Sequence, residues 1–161
     1  MHTRIAVTGM GAVTPLGNSM EDTWQGLVQG RSGIGPITRF DPSNLPCRIA
    51  GEIRDLPKDP VQKKLLRHLD PFVLYALTAC SEAFSQAGLD HSGWDRTRAG
   101  VVLGSSRGGI TTLEAGMASY ARKGFQGLSP HLTVSSLINH APAMISMQHQ
   151  LLGPSLAVST A

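Results

Sequence analysis

Leu151–Ala161 reads LLGPSLAVSTA. Gly153-Pro154 punctuates the end of a helical pattern, and Ser155 to Thr160 then alternates small polar with apolar residues, as a buried strand does. On its own the stretch is a helix exit followed by a core strand. What precedes it, read backwards from Leu151, decides how much more it means.

Immediately upstream, the pattern predicts a helix from near Asn139 to Leu151. Pro142 is tolerable there only in the first turn, where a missing N–H is harmless. Ser129-Pro130-His131 opens the segment before it, Arg122 to Gly127 reads as a polar loop, and Leu113 to Tyr120 continues a helix. Gly104-Ser105-Ser106-Arg107-Gly108-Gly109 fits the first half of a phosphate-binding loop, but Ile110 stands where lysine is required, which argues against nucleotide binding. Ala99 to Gly104 is a second core strand, entered through a turn at Asp95 to Arg98.

Between Phe72 and Ala87 lies the best periodicity in the chain. Phe72, Tyr75, Ala76, Ala79, Cys80, Ala83, Phe84 and Ala87 recur at helical spacing, and Gly88 ends the run. Cys80 sits inside that stripe and reads as a small buried hydrophobe. The chain is most basic just ahead of this helix, at Lys58, Lys63, Lys64, Arg67 and His68, a cluster that is by default a solvated surface.

Nearer the start, Cys47 to Ile53 alternates as a strand that puts Cys47 on one face with Ile49 and Ile53, for packing. Arg31 to Asp41 is a Gly/Pro loop. Ser19 and Asp22 form an S-x-x-D capping box for a short helix with Trp24, Leu27 and Val28 on its apolar face and Gly30 as its stop. Arg4 to Thr8 reads as a strand, and Gly9-Met10-Gly11 after it invites a dinucleotide-binding reading. That reading fails, because the full fingerprint needs glycine at position 14, where Thr14 stands, and a helix where Pro15-Leu16-Gly17 follows.

Composition narrows the classes. The 161 residues are 41% hydrophobic, enough for a core, and no apolar run approaches the length of a membrane span. The start, Met1 to Val7, lacks the sections of a secretory signal, so a cytoplasmic location is expected. Net charge is +3 with only 5% aromatic residues, which favours a local acidic partner over nucleic acid. Cys47 and Cys80 are expected to be reduced, and the six scattered histidines show no metal spacing.

Taken together, these stretches resemble the β-ketoacyl-acyl carrier protein (ACP) synthases of the elongating type. VTGMGAVTPLG at Val7 to Gly17, RSGI-x-x-I-x-x-F-D at Arg31 to Asp41, Asp70-x-Phe72, the Gly-Gly turn at Gly108-Gly109, the Ser129-Pro130 segment and Gly153-Pro154-Ser155 followed by Thr160-Ala161 all match in order. The resemblance implies an α/β fold, part of the N-terminal half of a thiolase-like five-layered αβαβα architecture, with residues 1–161 an incomplete half and the second half absent. It implies a nucleophilic cysteine directly after Ala161, at a strand-to-helix turn where the helix dipole favours thiolate. Both catalytic histidines would lie in the second half, so no residue of this chain is expected to be catalytic and the chain alone is expected to be inactive.

The same resemblance places acyl-pocket contacts at Arg107, Gly108 and Thr133, with the 133–136 stretch reaching across a dimer interface. It places carrier-protein docking at Lys63, Lys64, Arg67 and His68. Arg107 departs from the apolar gate usual in relatives: beside hydrocarbon an unpaired guanidinium costs on the order of several kcal/mol. Either it turns toward a carboxylate, or the substrate is not a plain saturated chain. The implied reaction is decarboxylative condensation of an acyl thioester with malonyl-ACP, with no metal or dissociable cofactor beyond the carrier's phosphopantetheine. The alternative is a non-catalytic chain-length-factor-like partner in a heterodimer; a thiolase is disfavoured by the RSGI segment.

Overall fold

The computed structural model describes residues 4–56, 69–89 and 93–160. They fall into two compact units, one drawn from Met1–Pro60 and Thr78–His91, the other from Val61–Leu77 and Ser92–Ala161.

In the first unit, helix α1 (Met20–Val28) starts where the capping box predicts. The Ser19 hydroxyl accepts from Asp22 N–H at 3.0 Å and donates to the Asp22 carboxylate at 2.8 Å. Its end is a Schellman motif: Gly30, at φ +65°, donates to the Leu27 carbonyl while Arg31 N–H donates to the Gly26 carbonyl. The apolar face is a correction, since Trp24, Leu27 and Val28 are 55%, 59% and 64% exposed. The helix instead leans on Leu16 through Gly26, where a Cβ would come within 3.1 Å of the Leu16 side chain.

The loop of residues 31–41 contains a strand, β1 (Ile34–Pro36), which pairs antiparallel with β2 (Ile49–Gly51). Glu52 closes this ribbon by accepting from Thr38 N–H, Thr38 Oγ1 and Arg39 N–H, contacts led by the Thr38 hydroxyl that hold its carboxyl below the usual range. Cys47 is exposed rather than packed, because a three-residue ribbon has no buried face; its thiol donates to the Ile49 carbonyl at 3.5 Å. Residues 4–8 form no strand either. An extended segment becomes a strand only when another pairs with it, and Ile5 and Val7 stay 94% and 80% exposed.

Helix α2 (Pro71–Gln86) contributes to both units and ends in a second Schellman motif at Gly88, φ +67°, with Leu89 N–H on the Phe84 carbonyl. The expected stripe is only half-buried. The positions fully removed from solvent are Val73 and Leu77, both at 0% exposure, and no residue of the helix before Ser85 is exposed. Cys80 is half-buried, and desolvation raises its thiol pKa, as suits a packing role.

In the second unit, a 3₁₀ turn at Arg96–Arg98, capped by Asp95, leads into β3 (Val101–Gly104), then α3 (Ile110–Lys123), α4 (Leu132–Ser136), α5 (His140–His149) and β4 (Ser155–Val158). The polar loop expected at 122–127 is the last turn of α3 followed by a 3₁₀ turn at Gly124–Gly127. β3 and β4 pair in parallel with Val101 opposite Ser155 and Gly104 opposite Val158, and α5 packs on both. Pro142 lies in the first turn of α5 and is itself buried. Among the described residues the buried apolar side chains, including Leu69, Val73, Leu77, Met144, Ile145 and Leu151, all belong to this unit.

Candidate active site

Two parallel strands ending side by side leave a crevice beyond their carboxyl ends, the usual ligand position in open α/β sheets. Here that crevice is a cleft of about 330 Å³ lined by Gly104, Ser105 and Ser106 after β3 and by Val158, Ser159 and Thr160 at the end of β4. The Ser105 N–H donates to the Val158 carbonyl at 3.0 Å and the Ser159 hydroxyl donates to the Ser106 carbonyl at 2.9 Å, so the two strand ends stay tied past the ladder. The Ser105 hydroxyl turns back onto the Arg107 carbonyl. Among the described residues the lining offers hydroxyls and backbone groups but no carboxylate, imidazole, amine or thiol. It can orient a substrate; it contains nothing to exchange a proton near neutral pH.

From Ser105 the chain turns through Arg107, Gly108 and Gly109 into α3. The structure brings this turn and the 133–136 segment together. Gly109 N–H donates to the Ser136 carbonyl at 3.0 Å, and a Cβ at Gly108 would come within 2.9 Å of Ile138 N. Gly108 and Gly109 are thus required by close backbone approach, which a side chain would block. Arg107 and Thr133 are both exposed. The Arg107 guanidinium makes no ion pair with a described residue, so the carboxylate partner considered for it is not found among them. Thr133 contributes its carbonyl to the Ser136 hydroxyl at 2.9 Å. Lys63, Lys64, Arg67 and His68 lie outside the described residues.

Sequence reasoning used Asp70 only as a landmark. It is 3% exposed, and its two oxygens accept from Phe72 N–H at 3.2 Å and from Thr112 N–H at 2.8 Å. The available signal was Asp70-Pro71 itself, an N-cap residue followed by proline at the first helical position. Its second bond, to a residue far along the chain, left no local trace. His140 lies near enough to feel the Asp70 charge, but burial dominates and holds its imidazole below the usual value. Among the described residues no group of histidine, cysteine and carboxylate side chains could hold a metal, and no helix is long and apolar enough to cross a membrane.

The geometry meets its relatives at this point. The profile described as "Beta-ketoacyl synthase, N-terminal domain" matches residues 2–161. The 3-oxoacyl-[acyl-carrier-protein] synthase 2 of Coxiella burnetii is 38% identical over 159 residues, and that of Vibrio harveyi 36%. Each alignment covers 98% of this chain, which spans 38% of the length of either relative. Among solved structures, the ishigamide ketosynthase/chain length factor superposes with a TM-score of 0.81 at 25% identity, over 96% of this chain and 39% of that one. A β-ketoacyl synthase from Burkholderia phymatum gives 0.73 at 24%, over 99% and 40%. A type II polyketide acyl-carrier protein in complex with its hexaketide-bound ketosynthase gives 0.71 at 20%, over 98% and 41%. The fold is therefore thiolase-like and of the α/β class, and by the match along its whole length the chain belongs to the β-ketoacyl synthase family, as that family's N-terminal domain.

Proposed function

We propose that this chain supplies the N-terminal part of a 3-oxoacyl-ACP synthase, an acyltransferase that condenses an acyl thioester with malonyl-ACP. The observation that carries the reading is the 38% identity to a 3-oxoacyl-ACP synthase over 98% of the chain. The outward face of the β3–β4 pair agrees with further layers in the intact protein: Val102 and Leu156 are 72% and 55% exposed on it, whereas parallel sheets are ordinarily covered on both faces.

In this reading a cysteine following Ala161 attacks the acyl thioester and releases the carrier thiol. Malonyl-ACP then loses carbon dioxide with help from two histidines of the second half. The resulting carbanion attacks the acyl-enzyme carbonyl, backbone N–H groups hold the oxyanion, and the cysteine thiolate leaves as 3-oxoacyl-ACP forms. The residues of this chain position rather than react: the cleft of Ser105, Ser106 and Ser159 supports the strand end that leads to the nucleophile, and Arg107, Gly108 and Thr133 contact the acyl group. Lys63, Lys64, Arg67 and His68 dock the acidic carrier protein, whose phosphopantetheine is the only prosthetic group used. Homodimerisation and a cytoplasmic location complete the reading, the latter in keeping with two unpaired thiols.

The likeness to a ketosynthase/chain length factor structure keeps one second reading, a non-catalytic heterodimer partner. Incubating the intact protein with acyl-ACP and malonyl-ACP separates them. Condensation, with a covalent acyl adduct visible by mass spectrometry, is expected. No adduct with any acyl-ACP, together with a stable complex with a second synthase subunit, would establish the partner role instead.

A further inference from the structure

We propose that Asp70 is a positioning residue for substrate contact, a single buried carboxylate that starts two helices and so fixes the turn carrying Arg107 and Gly108. The inference rests on the proposed function in that it assigns this turn to the acyl group.

The first N–H groups of a helix need partners from outside it. α2 receives one from its own N-cap, Asp70, through Phe72 N–H. α3 follows Gly109, which has no side chain to offer, and its Thr112 N–H is taken by the other oxygen of the same carboxylate at 2.8 Å. One negative charge thus faces the positive ends of two helices. It also lies hard against the turn, since a Cβ at Gly109 would fall 2.9 Å from Asp70 Oδ2. The turn also abuts the backbone of residues 135–138: the Ser135 carbonyl lies against Gly109 beside Asp70, Gly109 N–H donates to the Ser136 carbonyl, and Gly108 closely approaches residues 136–138. Gly108 and Gly109 are therefore packed against a buried carboxylate and the 135–138 backbone, with no room for a side chain. Arg107, exposed and without an ion pair to a described residue, takes its place from that clamp.

Asp70 touches no substrate in this account. Its loss should alter discrimination between acyl groups more than it alters the fold. The test compares Asp70→Asn and Asp70→Glu with Glu82→Gln, a change that weakens a carboxylate clamp in the other unit, all in the intact protein. Two quantities are read: the ratio of kcat/KM for acyl-enzyme formation with long against short acyl thioesters, and amide hydrogen exchange at Thr112 and Phe72. Asn keeps one acceptor oxygen where Asp has two, so Asp70→Asn is expected to shift the ratio about 10-fold and to speed exchange at Thr112 or at Phe72 by at least as much, while Glu82→Gln moves none of these. Equal loss across all acyl lengths, or the same shift from Glu82→Gln, would reduce Asp70 to a structural residue and overturn the proposal. Should the parent protein form no acyl-enzyme at all, the proposed function fails instead. Exchange then decides alone, and unchanged rates at both Thr112 and Phe72 in Asp70→Asn would refute the clamp.

Discussion

The two glycine-rich turns of this chain are held by the same device and differ in how many anchors they have. In residues 9–17 of the first unit, Glu82 accepts from Ala12 N–H at 2.9 Å and Met20 N–H at 2.7 Å, and Gln86 accepts from Met10 N–H. Gly9 and Gly11 lie against the backbone of Ala83 and Ala79, and Ser19 caps the helix that follows. In residues 104–109 of the second unit, Asp70 stands alone on the helix side, and the helix that follows has no cap of its own. The opening signature spreads its support over several side chains. The turn beside the candidate site has backbone ties to Val158 and Ser136 but Asp70 as its one side-chain anchor at the start of the following helix, so a change at Asp70 should be felt there more than any single change is in the first turn.

The largest expected effect comes from Gly109→Ala, whose new methyl would meet Asp70 and the Ser135 carbonyl together. A loss of about 3 kcal/mol by chemical denaturation is expected, as for overpacked sites that cannot relax. A loss well under ~1 kcal/mol would show the turn to be loosely held and erase the contrast. Next, Glu82→Ala strips partners from two backbone N–H groups and should cost about 2 kcal/mol, with Glu82→Gln, which keeps an acceptor, costing less. Ser19→Ala should cost only ~1 kcal/mol, because Glu82 still holds Met20 N–H at the same helix start.

Acidification sharpens the comparison further. Burial holds His140 below its ordinary value of 6.5, outweighing the opposite pull of Asp70, so the unfolded chain takes up the proton first. Stability then falls as pH drops below about 6.5 and recovers above it, and His140→Gln should flatten that slope in urea titrations between pH 7 and pH 5. No slope difference between His140→Gln and the parent would mean that the imidazole is no more buried folded than unfolded.

What could be read from the sequence was local stereochemistry. Ser19, Gly30, Gly88 and Pro142 each fix a helix end or first turn by their own shape and bonding, and all four act where expected. The glycines that prompted nucleotide fingerprints have a packing role in the structure: Gly9, Gly11 and Gly109 make room for protein backbone and a carboxylate. What could not be read depended on distant partners. The pattern of Trp24, Leu27 and Val28 says that a face is apolar without saying what covers it, and residues 4–8 carry an apolar run, Ile5 to Val7, that pairs with no strand among the described residues. The site was legible only as separate pieces. Ser105, Ser106 and Ser159 become neighbours through a parallel pairing that no short window contains.

That pairing also sets an order of assembly. β3 reaches β4 only after α3, α4 and α5 have been made and laid down between them, the kind of long-range closure that folds slowly. On the ribosome, Val101 to Ser106 must wait as an unpaired strand until Val158 clears the exit tunnel. Within residues 93–160 the candidate cleft is therefore among the last features to close, because both of its walls depend on that pairing.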